Sequence, residues 1–176
     1  PDFKPQALSR IEVLIAMGVT AIVLLVIARI WLYFAPSPML TLEWNLHLLG
    51  IGILLGIGIT AASGGLYRLW PTYQRSANVY LEMVLPPLIW PDLIWLGLLP
   101  GLSEELLFRG ALLPTFGLNT PGVILTSVLF GIMHFSGAAQ WSYILWASII
   151  GCVLGFSAVM SHGLLVPITA HITTNL

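Results

Sequence analysis

Apolar residues in this chain follow neither the two-residue period of a strand nor a single helical stripe. They run on in stretches close to the roughly 20 residues needed to cross a hydrocarbon core of about 30 Å. Six such segments are predicted. The first spans about Ile11 to Phe34 and ends at Pro36 and Pro38. The second spans about Trp44 to Ser63 and carries Gly52 and Gly56, a GxxxG pair that lets a neighbouring helix approach closely. A loop is predicted over 64–78, carrying Arg68 and Arg75. The third stretch, Val79 to Phe116, is interrupted by Pro86, Pro87, Pro91 and Pro100. It reads either as one long kinked helix or as an interfacial piece followed by a span from near Trp95. Asn119-Thr120-Pro121-Gly122 is turn chemistry, after which the fourth segment runs to about Phe135. The fifth covers about Gln140 to Met160, and the sixth begins near Leu164. The fold class is therefore all-α, a polytopic transmembrane bundle in one membrane domain. Residues 1–78 form two spans and a loop, and residues 79–176 form the remainder.

Composition fixes the solvent. Of 176 residues, 58% are hydrophobic and 7% are charged, whereas soluble domains carry about 25% charged residues. The net charge of −1 and the lack of a basic patch exclude nucleic acid as a partner. The single cysteine, Cys152, can make no internal disulfide and reads as core packing. No cleavable signal peptide is expected, because the first apolar run is too long for an h-region. The chain starts with Pro1 and stops within an apparent helix, so further residues are expected at both ends. Lys4 and Arg10 precede the first span while Arg68 and Arg75 follow the second, which predicts a cytoplasmic N-terminus.

Charged groups inside a bilayer cost several kcal/mol, so each needs a reason. Glu104, Glu105 and Arg109 stand together in Ser103-Glu-Glu-Leu-Leu-Phe-Arg109. Glu105 and Arg109 are one helical turn apart and read as a structural, mutually neutralising pair. Glu104 is offset by about 100° and needs a partner from another helix. His134 lies late in the fourth segment, and His171 and Asn175 share one face of the sixth. Counting about 1.5 Å per residue from the intervening turns puts all four groups in one slab, displaced towards the cytoplasmic side. A carboxylate beside an imidazole in a low-dielectric cavity suits activation of a water. A second histidine with an asparagine supplies donors for a developing oxyanion.

Glu-Glu-x-x-x-Arg, Phe-x-x-x-His and His-x-x-x-Asn on successive apolar helices resemble the CPBP intramembrane proteases, which include the CaaX prenyl proteases and the bacteriocin-processing Abi proteins. The likeness covers about residues 95–176, within a CPBP-like core at 79–176. It implies peptide-bond hydrolysis on membrane-anchored substrates in the bilayer. By position it implies that Glu104 and His134 activate the water and that His171 and Asn175 hold the oxyanion. Glu105 and Arg109 would brace the first motif. The family implies a glutamate–histidine mechanism or a metalloprotease one; Glu104, His134 and His171 are a possible zinc set, and the metal-free reading, with no cofactor, is preferred.

No HExxH or GxGD pattern points to another intramembrane protease class. A proton or ion pathway would use similar residues, but the chain shows no paired halves of the transporter kind. The alternative from a different class is a non-catalytic accessory or scaffold subunit, docking a membrane partner through the Gly-rich second span.

Overall fold

A computed structural model describes residues 8–35 and 37–176; Lys4 and Pro36, used above for orientation and for the end of the first span, lie outside the described residues. Helix α1 (Arg10–Phe34) starts in a capping box: Ser9 Oγ accepts the Glu12 N–H, and the Glu12 carboxylate accepts the Ser9 N–H at 2.7 Å. Helix α2 (Leu46–Leu69) is capped by Asn45 Oδ1, which accepts the His47 and Leu48 N–H groups. These helices match the first two predicted spans.

The loop predicted over 64–78 is not formed. Helix α2 runs on to Leu69, Trp70 alone is extended, and Pro71 opens helix α3 (Pro71–Val84). Proline disfavours the helical conformation in the residue before it and suits the first helical position, so one Trp-Pro step separates two helices without a loop. The polar residues read as loop belong to an amphipathic helix whose inner face buries Tyr73, Ser76 and Ala77. The proline-rich stretch resolves into two helices. Pro86 and Pro87 sit in the turn after α3, and helix α4 (Asp92–Glu105) starts directly after Pro91. It continues into a π-helical stretch, Leu106–Leu112, and then helix α5 (Leu113–Phe116). Gly117, at φ +108°, ends this run in a conformation glycine tolerates best.

Helix α6 (Thr120–Met133) is capped by Asn119, whose Oδ1 accepts the Gly122 N–H at 3.0 Å. Helix α7 (Trp141–Ser161) ends at His162 in the left-handed region, and helix α8 (Leu165–Asn175) closes the bundle. Arg10–Phe34, Leu46–Leu69 and Ala138–Ser161 are each long and apolar enough to cross a membrane, and α6 is apolar but shorter. On α1, Ile11, Ile15, Val19 and Ile22 face outward, as a lipid-facing surface requires.

Glycine notches set the helix approaches. A Cβ on Gly56 would lie 2.6 Å from the Ala170 carbonyl and 2.6 Å from Thr173 Cβ, and one on Gly52 2.7 Å from Thr169 Cβ. The GxxxG pair of α2 is thus covered by α8 inside the chain, while Gly50 and Gly58 of the same span have nothing within 4 Å. A second pair, Gly97 and Gly101 on α4, receives Leu176 and Ile172 from the other side of α8; a Cβ on Gly101 would lie 2.6 Å from Ile172 Cγ1. A short helix is therefore clamped between two close neighbours. Gly151 and Gly155 on α7 bring that helix against Ser127 and Val123 of α6 in the same way.

Two further contacts fix the ends. Arg10 donates to both Asp92 oxygens, at 2.7 and 2.8 Å, tying the start of α1 to the start of α4. Asp92 is buried in this pair. The linker before α2 is stitched down by the Leu40 N–H to the Gly110 carbonyl and by the Leu164 N–H to the Thr41 carbonyl.

Candidate active site

Glu104 and Glu105 are the last residues of α4, where the helix widens into its π-helical stretch. Such segments frequently occur at functional sites. The next turn delivers Arg109, whose Nη1 donates to Glu105 Oε1 at 2.7 Å while Nη2 donates to the Gly151 carbonyl of α7 at 2.8 Å. Both side chains are almost wholly buried, at 1% and 0% exposure. This is the neutralised pair that the spacing predicts.

Glu105 has a second partner that spacing does not reveal. His171 Nδ1 lies 2.7 Å from the same Oε1. The carboxylate oxygen can only accept, so Nδ1 carries the hydrogen and Nε2 is left to face the interior. Nε2 then bears a hydrogen only when the ring is an imidazolium. The π-helical stretch, α7 and α8 are joined through this one oxygen and the guanidinium attached to it.

Glu104 turns away from that network, as its offset predicts. Its Oε2 lies 4.0 Å from His134 Nε2 and 4.0 Å from His171 Nε2. The atom is buried and has no hydrogen-bond partner. His134 caps α6, and its Nδ1 lies 2.9 Å from the Phe130 carbonyl. A carbonyl also only accepts, so Nδ1 donates and the neutral ring presents a lone pair at Nε2 towards Glu104. The two histidines are thus held through the same ring nitrogen, one by a carboxylate and the other by a carbonyl, and this gives their facing nitrogens different chemistry. Phe130 sits among them: the Arg109 guanidinium lies 4.6 Å above its ring, and its centroid is 4.8 Å from that of His134 and 6.0 Å from that of His171.

The sequence-predicted residues Glu104, His134 and His171 therefore meet, and Glu105 and Arg109 lie directly behind them. Asn175 sits one turn beyond His171, half-buried, and lines the same cavity as the two histidines. That cavity, about 410 Å³, is walled largely by aromatic groups, among them Tyr73, Tyr80, Tyr143 and Trp146. The Tyr80 hydroxyl donates to the His134 carbonyl, and its ring stacks on Tyr143 with centroids 4.1 Å apart. Sequence reasoning missed this wall because Tyr73 and Tyr80 come from α3, which the expected boundary at residue 78 divides between a loop and the third apolar stretch. The amphipathic spacing of Tyr73, Ala77 and Tyr80 was the available signal.

The residues proposed as zinc ligands fit a metal poorly as they stand. With bonds of about 2.0–2.1 Å, ligand atoms of a tetrahedral zinc lie roughly 3.3 Å apart. Glu104 Oε2 is 4.0 Å from each histidine nitrogen, so an ion bridging either pair would have its bonds nearly in line. Among the described residues, no three His, Cys, Asp or Glu side chains are gathered as a metal site. A water fits these gaps well, since hydrogen bonds of about 2.8 Å to two atoms 4.0 Å apart meet near a right angle.

Residues 86–176 match the Rce1-like type II CAAX prenyl endopeptidases. The chain is also 25% identical over 127 residues to the uncharacterized protein YpbD of Bacillus subtilis (strain 168), an overlap covering 72% of this chain and 65% of that relative. The chain thus spans less than two thirds of that protein's length. No solved structure matches it. The matched region holds all three polar motifs and every residue of the network above, and by that match the chain belongs to the Rce1-like type II CAAX prenyl endopeptidase family.

Proposed function

We propose that the protein is an intramembrane endopeptidase that hydrolyses peptide bonds of membrane-anchored, CaaX-like substrates with a water activated by Glu104 and His134. The observation that carries this reading is the pair of 4.0 Å gaps from the unpartnered Glu104 Oε2 to two histidine nitrogens beside a large cavity. A water in the gap donates one hydrogen to Glu104 and the other to the His134 Nε2 lone pair, leaving its oxygen free to attack a carbonyl carbon. As the C–O bond forms, one proton passes to this pair and the carbonyl oxygen becomes an oxyanion. His171, as an imidazolium held by Glu105, and the Asn175 amide donate to that oxyanion. Collapse breaks the C–N bond, and the departing nitrogen takes up the proton, giving a carboxylic acid and an amine. No step runs through a metal.

Family membership supports this reading at its own level. The accessory-subunit reading keeps only part of the Gly-rich span as a docking face, since Gly52 and Gly56 face α8. A cytoplasmic N-terminus remains part of the proposal and rests on Arg10, Arg68 and Arg75 lying on one side. The test is cleavage of a membrane-anchored peptide by purified protein in liposomes. Glu104→Gln lowers the rate by about 10²–10⁴-fold, the worth of a positioned base, and leaves thermal stability unchanged. Undiminished cleavage by this variant overturns the mechanism.

A further inference from the structure

A second cavity, about 220 Å³, lies between α1 and α4 beneath the end of α3. Ser103 and Glu104 form its inner end, and Val13, Ala16, Met17 and Met83 form much of its wall. His134, His171 and Asn175 line the aromatic cavity, whereas Glu104 lines this groove. The Glu104 side chain is 15% exposed although its Oε2 is covered, so the rest of it opens to the groove. Glu104 is thus a partition, with its reactive oxygen towards the histidines and its stem towards α1.

A peptide whose carbonyl sits at the histidine gap must leave the site on two sides. The aromatic cavity takes one flank. We propose that the α1–α4 groove is a specificity subsite that takes one apolar side chain of the substrate next to the scissile bond. This inference rests on the hydrolytic reading for the word substrate. Apart from Glu104 the lining carries no charge, so the groove suits an apolar side chain, and an anionic one would enter beside Glu104 without a partner, which is costly. The volume equals about seven water shares of roughly 30 Å³, enough for one side chain of leucine, methionine or phenylalanine size and small for a long lipid chain. Ala16 and Ala21 are the short residues on the α1 side, Ala21 buried and Ala16 exposed, so a larger side chain at Ala16 is the substitution that can narrow the groove without displacing buried atoms. The subsite would be written in a helix outside residues 86–176, so relatives with the same motifs would differ in selectivity through α1.

The experiment uses the full chain in liposomes with an anchored peptide bearing a diazirine-labelled leucine beside the scissile bond. In the Glu104→Gln protein, the probe is expected to cross-link to the segment containing Val13, Ala16 and Met17. Cross-links confined to residues of the aromatic cavity, no peptide cross-link at all, or α1 labelling only by a diazirine-bearing bilayer lipid would each overturn the subsite. In the otherwise unmodified protein, Ala16→Phe lowers the kcat/KM ratio for leucine- over alanine-bearing peptides about ten-fold, the scale of a lost apolar pocket. An unchanged ratio overturns the proposal. Cross-links at α1 without cleavage by the unmodified protein would refute hydrolysis while leaving the binding site intact.

Discussion

Gly56→Ala adds one methyl group far from the reacting atoms and should still disable them. The new Cβ would meet the Ala170 carbonyl and Thr173 Cβ at 2.6 Å, where ordinary contacts lie at 3.4–4 Å. One obstacle is backbone and the other a β-branched carbon, so α8 must retreat by roughly 1 Å. Overpacking of this kind costs about 1–3 kcal/mol. Ala170 and Thr173 flank His171, so the imidazole moves with them. A retreat of that size takes the 2.7 Å bond from His171 Nδ1 to Glu105 Oε1 beyond hydrogen-bond range and loosens the facing Nε2. Misplacement by 1 Å costs on the order of 10²-fold in rate. The assay is cleavage of an anchored peptide in liposomes, paired with thermal unfolding in detergent. Gly58→Ala is the control, since nothing lies within 4 Å of its Cβ; it should keep full activity and equal or higher stability. Wild-type activity and melting in Gly56→Ala, or equal damage from both variants, would refute the argument that the glycine notch positions the histidine.

Two further outcomes follow from the buried network and the gap geometry. Arg109→Met leaves the Glu105 carboxylate buried without its guanidinium and should destabilise the protein by about 3–5 kcal/mol. Adding Glu105→Gln should recover most of the melting temperature but not the activity, because His171 loses its carboxylate; recovery of both would show that the triad is structural only. Treatment with a strong zinc chelator should leave cleavage within about two-fold, since the two 4.0 Å spacings suit a water, and loss of activity restored by added zinc would reverse that assignment.

The elements carried by long apolar runs were legible from sequence, and so was the meeting of Glu104, His134 and His171. Lipid tolerates such groups only when they find each other, and that constraint acts on sequence and structure alike. The failures share another cause. Helix α3 has too few apolar residues to register as a span, and its polar face imitates a loop until the period of Tyr73, Ala77 and Tyr80 is considered. The spacing that paired Glu105 with Arg109 could not report His171, which comes from 66 positions away and shares the same oxygen. Gly97 and Gly101 stand in plain view as a GxxxG pair, yet Pro100 beside them drew attention to kinking instead. The groove beside Glu104 depends on the angle between α1 and α4, which no periodicity encodes.

Half of the clamp on the His171 helix comes from Gly52 and Gly56, which lie before residues 86–176, the part that matches the family model. The stretch matched by the family model is therefore smaller than the unit that holds α8 in place. A core cut at residue 86 would keep Glu104, Glu105, His134 and His171 yet leave α8 with one flank bare. Exchanging the first two spans for those of a relative should retune turnover through register alone, so helix packing distant in sequence becomes a dial on catalysis.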